Sequence, residues 1–161
     1  MVGLGLLVLR LALAAVFVAH GGNKLFGLFG DPGIGPGGLS TTAAFFGVHG
    51  LSPSFPLAVV DAVLELVGGT LLLVGFLTRA ASVALAISMG IAIWVVHAQW
   101  GFFLNWMAAP DRGDGMEFSI VLIAALVCLA LSGGGDLSID GASQRSAARE
   151  AAGRARLRGK M

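Results

Sequence analysis

Residues 57–79, LAVVDAVLELVGGTLLLVGFLTR, carry two carboxylates, Asp61 and Glu65, within a stretch long and apolar enough to cross a bilayer. A membrane-spanning helix needs about 20 predominantly apolar residues. Four residues apart, the two acids lie on one helix face, one turn from each other, and Gly68 and Gly69 continue that face. A carboxylate in hydrocarbon costs about 2.5–3.5 kcal/mol even on lenient insertion scales. Each acid therefore needs a partner, a proton or a function, and what they face constrains the rest of the chain.

Composition supports the membrane reading. Of 161 residues, 57% are hydrophobic and 12% charged, against about 25% charged in soluble domains, and the mean hydropathy is +0.90. By length this is one domain. No groove-like alternation of basic and aromatic residues points to nucleic acid. The single cysteine, Cys128, excludes an intrachain disulfide and a cysteine-based metal cluster, and reads as a small buried hydrophobe.

The pattern predicts an all-α, integral-membrane four-helix bundle over residues 1–141, with helices at about 4–29, 57–77, 80–99 and 116–132. The first apolar run holds Arg10 inside it and is followed by His20, whereas a signal peptide places its charge ahead of the apolar core. GDPGIGPGG then breaks the chain. A short helix from Thr41 to Val48, capped by Ser40 or Thr41, is expected in the 30–56 loop. Pro56 suits the first position of the second span. The turn 78–80 makes the second and third helices antiparallel neighbours. Trp100, Phe102, Phe103 and Trp106 are the aromatics of a membrane–water boundary. The basic, Ala-rich tail 142–161 reads as a surface helix or a disordered segment that either touches anionic lipid or simply solubilises the terminus.

Charge sets an expected orientation. Residues 133–161 hold six basic and three acidic groups, a balance of +3, and the remainder four basic and six acidic, a balance of −2. The Lys/Arg bias puts both termini and Arg79 on the cytoplasmic side and the 30–56 and 100–115 loops outside. At about 1.5 Å per residue, His20, Lys24, Asp61, His97 and Glu117 then converge in the outer third of the bundle, with Glu65 nearer the middle. Arg10 lies toward the cytoplasmic boundary, where it either snorkels to headgroups or pairs with Glu65. Intramembrane ionisable groups face the bundle interior because lipid cannot satisfy them.

Such a cluster suits quinone chemistry. A quinone carbonyl needs a hydrogen-bond donor such as His20 or His97, and a buried carboxylate, Glu65 above all, can relay the proton. Arg10, Lys24, Asp61 and Glu117 read as a structural polar cluster, and Gly68 and Gly69 as packing positions beside room for a ring. The electrons must come from elsewhere, since the chain has no flavin fingerprint, no iron–sulfur cysteine set and no haem-attachment motif. Two histidines could ligate a haem axially, but nothing else supports it. A dinuclear metal site from Asp61, Glu65, Glu117 and a histidine lacks the Glu-x-x-His spacing of carboxylate bundles. No metal and no covalently bound cofactor are expected.

Four segments in order, RLALAAVFVAHGGNKLFG (10–27), LELVGGTLLLVGFLTR (64–79), VVHAQWGFF (95–103) and MEFSIVLIAALVCLALSGGGDLSID (116–140), resemble the DoxX family of small four-helix membrane proteins. With their spacing they cover nearly all of residues 4–141. The positions that match are Arg10, His20, Gly21, Lys24, Glu65, Gly69, Arg79, His97, Gly101 and Glu117. Asp61 is less typical of the family, and the 30–38 insert is longer. The resemblance implies a bacterial or archaeal cytoplasmic-membrane protein associated with oxidoreductases, such as thiosulfate:quinone systems or complexes that handle oxidative stress. The expected role is a quinone-proximal or anchoring subunit. The alternative is a non-catalytic interaction or assembly protein whose polar cluster fixes helix packing. Either reading expects the lipid bilayer and a protein partner or homo-oligomer around it.

Overall fold

The computed structural model describes residues 2–29 and 37–158; part of the Gly/Pro insert (30–36) and the last three residues of the tail lie outside them. Six helices follow in order: α1 (Val2–Phe26), α2 (Gly38–Val48), α3 (Ser54–Val74), α4 (Thr78–Ala92), α5 (Glu117–Ser132) and α6 (Ile139–Arg158). Alpha-helix α4 runs on through a π turn, Ile93–His97, and a 3₁₀ turn, Ala98–Trp100. Among the described residues, three helical stretches are long and apolar enough to cross a membrane: Val2–Phe26, Ser54–Val74 and Thr78–Trp100. The shorter apolar helix α5 packs along α4. The chain is a multi-pass membrane protein.

Several boundaries depart from the sequence expectation, each for a local reason. Helix α1 stops at Phe26 rather than near 29, because Gly27 adopts a left-handed φ of 65° and its N–H returns to the Asn23 carbonyl. Helix α3 begins at Ser54, which places Pro56 inside the first turn, where a missing N–H costs no intrahelical bond. It ends at Val74, before left-handed Gly75. The connection is therefore Gly75–Leu77 and not 78–80, and Arg79 sits in the first turn of α4, donating to the Ala130 carbonyl at 3.2 Å. Helix α2 begins at Gly38 without a side-chain cap, so neither Ser40 nor Thr41 plays that part. Cys128 is exposed on α5 rather than buried.

The core joins four helices: Phe17 of α1, Leu72 of α3, Leu85 of α4, and Leu126 and Leu129 of α5 are all buried. Apolar side chains also cover the outside, as Val60, Ile87 and Val121 do, which is what a lipid solvent demands of a bundle. Helices α1 and α3 approach most closely through glycine. A Cβ at Gly69 would stand 2.9 Å from the Val18 nitrogen, and one at Gly68 would stand 3.0 Å from Leu85 Cγ. Gly21 on α1 meets the backbone of Leu66 and Ala62 in the same way. Small residues let membrane helices touch backbone to backbone.

The Gly75–Leu77 turn is held by charge at both flanks. Buried Arg10 donates through Nη1 to the Leu72 and Leu73 carbonyls at 3.0 and 3.3 Å, and through Nη2 to the Leu137 carbonyl. The Leu72 and Leu73 carbonyls belong to the last turn of α3, where a cation is favoured, and Leu72 also accepts the Gly75 N–H at 3.2 Å. Arg10 is thus engaged at the turn end and makes no contact with Glu65. Asp140, at the start of α6, accepts from the Leu77 and Thr78 N–H groups at 3.0 and 2.9 Å, and its own N–H donates to the Gly75 carbonyl.

Candidate functional site

Away from that turn, α1, α3 and α4 meet around a single ammonium. Lys24, in the last turn of α1, donates to Asp61 Oδ2 and lies 3.0 Å from Glu65 Oε2. The one-turn spacing of the two acids brings both to the same nitrogen. Ser88 of α4 donates to the other Asp61 oxygen at 2.7 Å. Glu65 Oε2 is buried, with the Lys24 ammonium as its ionic partner. One cation faces two carboxylates. Neutrality of the trio takes one further proton.

The trio lies on the wall of a cavity of about 560 Å³. Its lining is mainly apolar, with His20, Lys24, Asp61, Glu65, Ser88, His97, Asp114 and Ser119 as the polar points. Phe45 and Phe46 of α2 and Leu51 cover one side, and Phe118, Ser119 and Leu122 of α5 close another. Val60 and Ile87, 62% and 61% exposed, form an apolar lip at its edge. A cavity of this size, with few convergent polar groups, has the usual make-up of a small-molecule site.

His97 closes the π turn and is oriented by the loop that follows. Its Nδ1 donates to the Asp114 carbonyl at 2.9 Å, which leaves Nε2 as the free ring nitrogen. The loop is stapled to α5: Glu117 accepts the Leu104 N–H at 3.1 Å, and Asp114 accepts the Asn105 N–H at 2.9 Å. Single π turns are frequent at functional sites.

The structure therefore brings Glu65, His20, His97, Lys24 and Asp61 to one cavity. It separates Arg10, at the opposite end of the bundle, and Glu117, which organises the loop outside the lining. Asp61 is expected in the outer cluster and Glu65 nearer the middle; both share Lys24. Ser88 was not legible as a site residue; its only sequence signal is a small polar residue on the α4 face that also buries Ser82 and Leu85. Among the described residues, no three His, Cys, Asp or Glu side chains gather as a metal site would require. The Lys24 ammonium supplies the positive charge that the paired acids call for.

A family model, DoxX, matches residues 5–98, more than half of the chain. The chain belongs to the DoxX family. This DoxX protein is also similar to a Bacillus subtilis (strain 168) protein whose printed name is "Putative oxidoreductase CatD", at 34% identity over 137 residues, 85% of each chain. No solved structure matches it. The matched span holds nearly all of α1, and α3, α4 and His97, and so every polar residue of the cavity wall except Asp114 and Ser119.

Proposed function

We propose that this DoxX protein is the quinone-proximal subunit of a membrane oxidoreductase, a four-helix bundle with both termini in the cytoplasm. The observation that carries it is the Lys24–Asp61–Glu65 trio on the wall of an apolar cavity with a lip of exposed apolar side chains. A quinone ring fits that chemistry: flat and apolar, with two carbonyl oxygens that accept hydrogen bonds. Reduction takes up two electrons and two protons, and a redox centre on a partner protein supplies the electrons. His20 is the group placed to donate to a carbonyl, and His97 Nε2, with the ring proton held on Nδ1 by the Asp114 carbonyl, is placed to accept from a quinol hydroxyl. Glu65, the more buried of the two acids on the cavity wall, is placed to hold and pass a proton, and Lys24 steadies the charge that remains. Proton transfer through a positioned carboxylate typically contributes ~10²–10⁴-fold.

The test is purification in lipid nanodiscs, with extracted quinones identified by mass spectrometry and binding of added quinone titrated. Wild type should carry or bind quinone. Glu65→Gln should keep the fold and the quinone but lose quinone-linked turnover with the partner, and His97→Ala should weaken binding. Folded protein that binds no quinone sinks the reading.

A second reading has its own support: the trio ties α1 to α3, and Ser88 adds α4. If the cluster only fixes helix packing in an assembly subunit, Glu65→Gln should fail to accumulate and should leave no folded, inactive protein.

A further inference from the structure

A second hollow adjoins the cavity. Between α3 and α4 runs a groove of about 540 Å³, walled by apolar residues of α3 and by Ala80, Ala81 and Ala84 of α4. No charged or hydroxyl side chain lines it. Val60, Leu64 and Ala84 belong to both linings, so the groove begins where the cavity's apolar lip stands. It extends from Val59 to Leu71 on α3, twelve residues or about 18 Å at 1.5 Å per residue.

The sequence explains why the groove stays open. Helices α3 and α4 are held together at two levels, by the Gly68–Leu85 contact and by the Ser88–Asp61 hydrogen bond. From the Leu85 level toward the Gly75–Leu77 turn, α4 lines the groove with alanines alone, Ala80, Ala81 and Ala84. Val63 and Val67 are exposed along the trough, at a depth where the surrounding solvent is hydrocarbon.

A compact cavity with polar points at one end, continuous with a long, narrow, wholly apolar trough, describes a ligand with a polar head and a linear tail. We propose that the α3–α4 groove holds the hydrocarbon tail of the ligand whose ring occupies the cavity. This chain then takes a long-tailed quinone or quinol from within the bilayer and selects it over the same ring without a tail. The proposal rests on the quinone reading above, and the ring enters laterally past Val60 and Ile87.

The experiment uses the full chain in nanodiscs and two probes: a tailless benzoquinone, and the same ring with a long isoprenoid tail bearing a diazirine. After illumination, peptide mapping should place the tail adducts on residues 59–71 and 80–84. Ala80→Phe with Val67→Phe fills the trough at lipid-facing positions. It should weaken the tailed quinone about tenfold or more, the burial of roughly two CH₂ groups, and leave the tailless ring unchanged. Adducts spread evenly over α1 and α5 would mark ordinary lipid contact and overturn the tail site while ring binding stands. Equal effects of the double variant on both probes would overturn it too. If neither probe binds, the ring site fails and the tail site with it. Should the variant not fold, the adduct map on the wild-type chain decides by itself.

Discussion

Arg10 and Asp140 grip the two sides of one turn: the guanidinium satisfies the last carbonyls of α3, and the carboxylate satisfies the first N–H groups of α4. Cation at a helix C-terminus and anion at a helix N-terminus is the arrangement that both dipoles favour. Because Arg10 also holds the Leu137 carbonyl, the segment after α5 is bound into the same knot. The knot closes one end of the bundle, and the cavity lies at the other.

Loss of the Asp140 carboxylate should therefore loosen the α3–α4 hairpin. Asp140→Asn keeps one acceptor and removes the charge. By analogy with helix N-caps, the loss is expected at about 0.5–2 kcal/mol, read as a lower thermal midpoint in detergent. Burial alone would raise the Asp140 carboxyl, but the Thr78 and Leu77 hydrogen bonds and the Arg10 charge hold it below its ordinary value. A depressed carboxylate adds stability that is complete above its unfolded pKa and is lost as pH falls through the folded one. Wild type should lose this contribution only in acid below about pH 4, and Asp140→Asn should show a flatter acid limb there.

Arg10→Met should be more damaging than Asp140→Asn. It removes the donor of the Leu73 and Leu137 carbonyls and one of the two donors of Leu72, and each buried unsatisfied group costs about 1–3 kcal/mol. Low accumulation in the membrane fraction is the expected result. A wild-type level and thermal midpoint would show that water or lipid headgroups replace Arg10.

Gly69→Ala should destabilise the α1–α3 contact by about 1–3 kcal/mol, the usual range for overpacking, since the added Cβ would meet the Val18 nitrogen and Phe17 Cβ at 2.9 and 3.0 Å. Gly153→Ala is the control: nothing lies within 4 Å of that site on α6, and replacing a helical glycine should be neutral or favourable by up to about 1 kcal/mol. Paired thermal melts in detergent check both.

Lys24→Met should be the most harmful change at the cavity, about 3–5 kcal/mol, because it leaves two carboxylates without their cation. The triple variant Lys24→Met, Asp61→Asn, Glu65→Gln removes every charge of the trio and should recover much of the accumulation. It should not recover quinone-linked turnover. Recovery of both would make the trio structural.

The apolar runs and their breakers made the helices legible. A periodicity of apolar residues with Gly and Pro between them needs no tertiary information, and α5 lies where the pattern put it. The ends were less legible, because Gly27 and Gly75 terminate helices by taking a left-handed conformation that the apolar pattern does not encode. In the site, the face shared by Asp61 and Glu65 followed from spacing alone. That Lys24 serves both acids did not, since it depends on how α1 crosses α3 at Gly21 and Gly69.

By itself, the sequence determined that the chain lives in a bilayer, and that its few ionisable groups must find one another there, because hydrocarbon offers no other partner. Only the tertiary structure decided which groups pair. Arg10 and Glu65, both inside spans, find different partners, Arg10 the carbonyls at the end of α3 and Glu65 the Lys24 ammonium. Asp140 joins a turn 62 residues away, a contact that no local pattern announces. The cavity, too, belongs to the packing: it is the space left where α2 covers three helices that a lysine, two acids and a serine hold together.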